Sequence, residues 1–154
     1  MARKALLICG ILSSLLYVGT DILAGTLYAG YRFTSQAISE LFAIGAPTSR
    51  LVVPLFTLSS LLLAAFASGI WVSAGRNRAL RVMALMMVGN AVNGLALWNF
   101  FPMHMRGAEA TFTDTMHVTL SGGGGHLRYL QERHPAARAR ESRSALPKRR
   151  RVLR

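Results

Sequence analysis

Three long stretches without a charged or histidine side chain dominate this chain, at residues 5–20, 51–74 and 82–101. The second is 24 residues long and the third 20, which is enough to cross a hydrocarbon core as a helix. The first continues through Asp21 to about residue 25 and so reaches spanning length. A water-soluble helix of this length would carry a charged face. The sequence therefore predicts an all-α, polytopic transmembrane helix bundle in contact with the lipid bilayer.

The positive charges predict the orientation of the spans. Two basic residues precede the first span and three lie between the second and third, whereas three others lie at the opposite ends. The first set is Arg3, Lys4, Arg76, Arg78 and Arg81, and the second is Arg32, Arg50 and Arg106. Because lysine and arginine are kept on the cytoplasmic side, we expect a multi-pass protein of the cell membrane with a cytoplasmic N-terminus. An uncleaved first span is favoured over a signal peptide, since two more spans follow it.

The link between the first two spans predicts a short amphipathic helix on the outer side. Apolar residues recur at helical spacing within residues 37–42, and Gly45 followed by Pro47 would end the helix. Ser39 and Glu40 fall on its other side. Such a helix would lie on the outer face of the bilayer or over the mouth of the bundle.

Small residues at four-residue spacing predict where the spans approach one another. Gly10 and Ser14 form such a pair in the first span. The second span carries a longer row with one glycine beside it, namely Ser60, Ala64 and Ser68 with Gly69. Rows of this kind let helix backbones pack closely.

Polar groups inside the spans have two interpretations each. The amides of Asn90, Asn93 and Asn99 in the third span would either hold helices together or line a substrate path. Asp21, one turn beyond Tyr17, would either relay protons or ions or lie solvated at the headgroup level.

The C-terminal part changes character. Residues 1–120, the predicted transmembrane domain, carry a net charge of +4, whereas residues 121–154 carry +8. Residues 115–120 look like the start of a fourth helix, which stops at Ser121 and a run of four glycines. The remainder has no periodicity and little apolar content, so we predict a basic disordered tail. Charge alone would let this tail bind anionic lipid or, non-specifically, nucleic acid.

The tail also conflicts with the predicted orientation. Three spans starting from a cytoplasmic N-terminus leave this very basic segment outside, against the charge rule. Arginine, glycine, alanine, proline and histidine with almost no lysine are also what GC-rich DNA encodes in a displaced frame. A frameshift or truncation after about Leu120 is therefore favoured over a native basic tail.

One group of residues offers candidate chemistry. His104 follows the third span, and Asp114 and His117 share a helix face three positions apart. One carboxylate and two imidazoles are the ligand set of an open zinc site, and Glu40 and Ser39 lie on the same predicted side. The spacing matches no strict metal motif, so the favoured interpretation is a hydrogen-bonded polar lid. In that lid Asp114 would orient His117 or pair with Arg106.

Short segments spread along the chain form a recognisable series, namely residues 3–7, 10–17, 39–41, 43–48, 53–55, 71–75, 78–81, 102–104 and 113–117. In this order they resemble a known family, the bacterial multi-spanning membrane proteins grouped as domain of unknown function 998. The similarity covers residues 3 to about 120. The resemblance implies a bundle of about six helices and no particular chemistry. This chain departs from the pattern after Leu120, where the remaining helices would follow.

Two function classes follow from the sequence. The first is a membrane protein without a demonstrable catalytic site, structural or related to transport, for which no cofactor is expected. The alternative is a metal-dependent hydrolase that acts on a lipid-like substrate at the outer face, using zinc held by His104, Asp114 and His117.

Overall fold

The structure, a computed structural model, describes residues 2–105, 108 and 111–121. These residues form four α-helices and one short 3-10 helix, and no β-strand occurs among them. The α-helices are α1 (Ala2–Leu27), α2 (Ser49–Ala74), α3 (Arg78–Phe100) and α4 (Phe112–Leu120), and the 3-10 helix is Ile38–Phe42. The predicted tail lies outside the described residues apart from Ser121.

The three long helices are long and apolar enough to cross a membrane, which confirms the predicted transmembrane helix bundle. The protein is a membrane protein. α3 begins four residues before the apolar run because Asn77 caps it, its side-chain oxygen accepting the Leu80 N–H at 3.3 Å. The link before it is short, with Gly75 in a left-handed turn at φ 52°.

α2 is the middle helix of a row. α1 and α3 each pack along α2 over much of its length and make few contacts with each other. The short link of residues 75–77 favours packing of α3 on α2, because a helix after a short link folds back against the one before it. α2 therefore has a long helix on each side, whereas α1 and α3 each have one face that no other long helix covers.

Two glycines bring α1 and α2 close together. A Cβ at Gly10 would lie 2.7 Å from the Phe66 ring, and one at Gly69 would lie 2.8 Å from the Cβ of Leu6. Neither position has space for a larger side chain without movement of the helices. The prediction that Gly10 and Gly69 mark close helix packing is confirmed.

The serine that joins α1 to α2 is one position away from the predicted one. The Ser13 hydroxyl donates to the Ser59 carbonyl at 2.8 Å, and the Ser59 hydroxyl donates back to the Ser13 carbonyl at 3.0 Å. Ser14 and Ser68, which were predicted at the interface, are exposed. Each of these two hydroxyls instead bonds the carbonyl four residues earlier in its own helix.

The predicted short outer helix is present as the five-residue 3-10 helix Ile38–Phe42, packed on α1 and α2. Glu40, expected on its polar side, is only 7% exposed. Its carboxylate accepts the Ala37 N–H at 3.1 Å and the Gln36 side-chain amide at 2.9 Å, which lets the charge be buried. Gly45 ends the segment at φ 90°, a conformation that favours glycine.

A cap covers one end of the row. We use this name for residues 28–48 and 101–105 together with the first turn of α4. The Ile44 N–H donates to the Met103 carbonyl at 2.8 Å, which joins the two segments. α4 then runs from the cap back along α3, since the Asn93 side chain donates to the Leu120 carbonyl at 3.0 Å.

Replacement of Gly69 by alanine tests the close packing of α1 and α2. Gly69→Ala should lower the free energy of unfolding by ~1–3 kcal/mol, because the new methyl group overlaps Leu6. Gly89→Ala is the matched control, since a Cβ there meets nothing within 4 Å. It should leave stability unchanged or raise it by up to ~1 kcal/mol through helix propensity. Unfolding in detergent micelles measures both, and equal effects would contradict the packing.

Candidate functional site

A partly open cleft of about 660 Å³ lies between α1 and α3. All four helices and the 3-10 helix contribute residues to its lining. The cleft lies on the side of the row where α2 does not fill the space between α1 and α3. Most of the lining surface is apolar, although half of the lining residues are serine, asparagine or histidine: Ser13, Ser14, Ser39, Ser59, Ser60, Ser121, Asn90, Asn93 and His117. A cleft of this kind combines apolar walls with polar groups, as ligand sites do.

Phe42 closes the cap end of the cleft. Its ring is 2% exposed and lies 6.0 Å from Phe56, 4.9 Å from Trp98 and 5.7 Å from the His117 ring. Tyr17 stacks on Phe56 at 4.7 Å and extends the cluster to α1. One buried phenylalanine thus connects every helix to the cap.

The asparagines of α3 link helices and line the cleft, which confirms the first interpretation, while a substrate path stays a prediction. Asn99 donates to the Thr57 hydroxyl at 3.2 Å and so links α3 to α2. Asn93 holds the end of α4 and also lines the cleft. Asn90 is exposed and lines the cleft. Trp98 also links α3 to α2, since its indole N–H donates to the Ser60 hydroxyl at 3.1 Å.

Asp114 fastens α4 to the end of α3. Its carboxylate is fully buried and accepts the His104 backbone N–H at 2.7 Å. It also accepts the Thr111 N–H at 2.9 Å and the Thr111 hydroxyl at 2.8 Å, while the Asp114 N–H donates back to Thr111. The reciprocal Thr111–Asp114 pair is a capping box for α4.

A histidine side chain completes this arrangement. Nδ1 of His104 lies 3.1 Å from Oδ2 of Asp114 and donates to it, since a carboxylate only accepts. Burial raises the pKa of Asp114, but the hydrogen bonds from His104 and Thr111 outweigh it and hold this pKa well below its ordinary value. Asp114 is consequently a charged anchor at neutral pH.

His117 faces the cleft from α4. Its Nδ1 donates to the Phe101 carbonyl at 2.6 Å, which fixes the proton on that nitrogen in the neutral ring. Burial lowers the pKa of His117, and the bond to Phe101 and the charge of Asp114 oppose this without cancelling it. The imidazole is therefore kept neutral, with Nε2 as its remaining acceptor.

The five candidate residues fall into three places. His104 and Asp114 are bonded to each other at the start of α4, His117 and Ser39 line the cleft, and Glu40 is bonded within the cap. Among residues 2–105, 108 and 111–121, no three His, Cys, Asp or Glu side chains are grouped to hold one metal ion. The zinc site stays a prediction, and Arg106, the other proposed partner of Asp114, lies outside the described residues.

The family described as a protein of unknown function, DUF998, matches residues 11–127. The chain belongs to this family. The match covers about three quarters of the sequence and includes α2, α3, α4 and most of α1. No curated protein and no solved structure matches the chain. The family contributes no reaction, so the chemistry of this DUF998 protein has to come from its own side chains.

Sequence reasoning missed several residues that shape the site. Phe42 was predicted only as part of the apolar side of the short outer helix, and Phe56 and Trp98 had no predicted role, although all three close the cleft. Thr111 could have been found, because threonine followed three residues later by aspartate is a helix-start signal. The role of the Phe101 carbonyl leaves no trace in the sequence, since every residue carries one.

The state of His117 predicts how stability depends on pH. Its folded pKa lies below the ordinary value of about 6.5, so the unfolded chain takes up the proton first as pH falls. The stability that it contributes is therefore present above about pH 6.5 and is lost as pH drops toward the folded pKa. The unfolding temperature in micelles should fall between about pH 7 and pH 5.

His117→Asn provides the comparison for this pH dependence, because asparagine keeps a donor near the position of Nδ1 but does not titrate. Its unfolding temperature should vary less over the same pH range. A wild-type profile that matches that of His117→Asn would show that His117 is not held neutral.

Proposed function

We propose that this DUF998 protein is a non-enzymatic membrane protein that holds a lipid-like molecule in the cleft between α1 and α3. The observation that carries the proposal is the cleft itself, at about 660 Å³. Ligand pockets for small molecules measure roughly 300–1,000 Å³. Because the walls of the cleft belong to helices that cross a membrane, molecules of the bilayer are the ones that reach it most directly.

The lining supports an amphipathic ligand. The apolar positions, such as Val18, Leu63 and Leu97, suit an acyl chain. Asn90 supplies an amide that faces the cleft, and His117 offers Nε2 as an acceptor near the cap. A molecule with a long apolar part and one polar end would satisfy both kinds of surface.

The clustered acid and histidine support anchoring of the cap more than catalysis. Asp114 already accepts bonds from the His104 backbone, the His104 ring and Thr111, all of which hold α4 in place. A general base or metal ligand needs a free lone pair aimed at a reactant. We therefore assign the pair a positioning role, and the proposal requires no cofactor.

Lipid retention tests the cleft as a binding site. Wild-type protein in mild detergent should retain a lipid that native mass spectrometry detects. Ser14→Trp should lose most of it, because Ser14 is exposed and lines the cleft. Ser68→Trp is the matched control: Ser68 is also an exposed serine bonded only to its own helix, and it lies outside the cleft lining.

Equal lipid retention in the two tryptophan variants, or none in the wild type, would contradict the proposal. Metal analysis of the same preparation addresses the hydrolase alternative. About one zinc per chain, lost in both His104→Ala and His117→Ala, would favour that alternative instead.

We also propose that the protein lies in the cell membrane with its N-terminus in the cytoplasm. Arg3 donates to the Ser73 hydroxyl at 2.6 Å, and the Arg81 guanidinium lies 5.4 Å from the Trp71 ring centroid. These cations therefore share the end of the row opposite the cap, and the larger positive group belongs on the cytoplasmic side.

Labelling of single cysteines tests this orientation in a Cys9→Ala background. A cysteine at Asn77, in the exposed link between α2 and α3, should resist an impermeant thiol reagent in intact cells. A cysteine at Ile44, which is 48% exposed in the cap, should react. The reverse pattern would place the N-terminus outside.

Binding of anionic lipid or nucleic acid by residues 122–154 stays a prediction, because they lie outside the described residues.

A further inference from the structure

Two adjacent polar side chains near the cap end of α1 lack hydrogen-bond partners. The Oγ1 of Thr20 and the Oδ1 of Asp21 are both buried, and neither has a partner among the described residues. Thr20 is only 2% exposed. A helical threonine can bond the carbonyl three or four residues earlier, but Thr20 does not, in contrast to the outward-facing Thr26, which bonds the Leu23 carbonyl.

Aromatic rings surround this end of α1. Tyr17 lies one turn before Asp21 on the same face. One turn after Asp21, Gly25 leaves space that the Phe33 ring fills, and a Cβ at Gly25 would overlap this ring. Tyr31 meets Phe33 edge to face at 5.1 Å. Tyr17 of α1 and the cap residues Tyr31 and Phe33 thus place three aromatic side chains near a short polar segment of the helix.

The carboxylate of Asp21 has no ion-pair partner among the described residues. Among the described residues, the one ion pair joins His104 to Asp114 and does not involve Asp21. The pKa of Tyr31 is raised by burial and further by the charges of Asp21 and Glu40 and by Tyr17, which places Asp21 near this ring. Asp21 is half-buried and its Oδ1 is buried without a hydrogen-bond partner, so a cation bound to this carboxylate would be favoured.

We propose that Thr20 and Asp21, together with the rings of Tyr17, Tyr31 and Phe33, form a binding site for an alkylammonium group. The site goes beyond the lipid cleft, because Tyr17 is its one residue that also lines the cleft. An ammonium group donates hydrogen bonds to a carboxylate and a hydroxyl, and its adjacent methylene groups pack against aromatic faces.

The donor set distinguishes this ligand from other cations. Divalent metals take several oxygen or imidazole ligands, and among the described residues no three His, Cys, Asp or Glu side chains are grouped to provide them. Aromatic rings contribute little to a metal ion but attract an organic cation through their faces. The position near the cap end of α1, at the membrane boundary, admits either a lipid amine headgroup or a free alkylamine.

Thermal unfolding in maltoside micelles tests the site with hexylamine as the probe and hexanol as its uncharged counterpart. Hexylamine should raise the unfolding temperature of the wild type, and hexanol should not. In Asp21→Asn the apparent affinity for hexylamine should fall at least about tenfold, because the charge-assisted bond is lost. Without probe, Asp21→Asn should unfold at a higher temperature than the wild type, since the unpaired charge is gone.

A matched pair of threonine variants tests the site without a change at Asp21. Thr20→Val should weaken hexylamine binding, whereas Thr26→Val should not, because the Thr26 hydroxyl is exposed and already bonded to its own helix. Equal responses of the wild type and Asp21→Asn to hexylamine would overturn the proposal, as would the absence of any response in the wild type.

Native mass spectrometry then identifies the source of the ammonium group. Preferential retention of phosphatidylethanolamine over phosphatidylglycerol, lost in Asp21→Asn, supports the lipid headgroup. Hexylamine binding without this preference supports a free alkylamine. Both results support the site, while retention of either lipid independent of residue 21 in a protein that ignores hexylamine contradicts it.

Discussion

Inside a bilayer, polar groups have no water to bind, so each one has to find its partner within the protein. α2 provides these partners on two sides. Ser59 exchanges hydrogen bonds with Ser13 of α1, while Ser60 and Thr57 accept from Trp98 and Asn99 of α3. Since the polar side chains of α1 and α3 find their hydrogen-bond partners on α2, these two helices pack on α2 rather than on each other. The cleft between them is a direct consequence of this row.

The cap gives the cleft a closed end. From the cap, Phe42 contacts Phe56 and Trp98. α4 brings the neutral His117 ring against the same Phe42 ring. The charged Asp114 lies one turn earlier and holds α4 through backbone and side-chain bonds. The anchoring carboxylate and the cleft-lining imidazole are therefore neighbours on α4 that make different contacts.

The sequence predicted the helices better than the faces they present. Uncharged runs long enough to span determine α1, α2 and α3, because the bilayer leaves no alternative structure for them. Ser13 rather than Ser14 faces α2, a shift of one residue that depends on the packing partner. Glu40 is buried because Gln36 and the Ala37 N–H meet its carboxylate. For the site, the residue types of His104, Asp114 and His117 were apparent, but their separate tasks depend on distances that no spacing encodes.

The most direct test of this account is the separation of α1 from α3 across the cleft. The chain has one natural cysteine, Cys9, so a Cys9→Ala background permits defined pairs. Ser13→Cys with Ser59→Cys should form a disulfide readily, because the two hydroxyl oxygens lie 3.2 Å apart. Ser13→Cys with Asn93→Cys, on opposite walls of the cleft, should not. Equally efficient disulfide formation in both pairs would mean that α1 and α3 pack directly and that no cleft separates them.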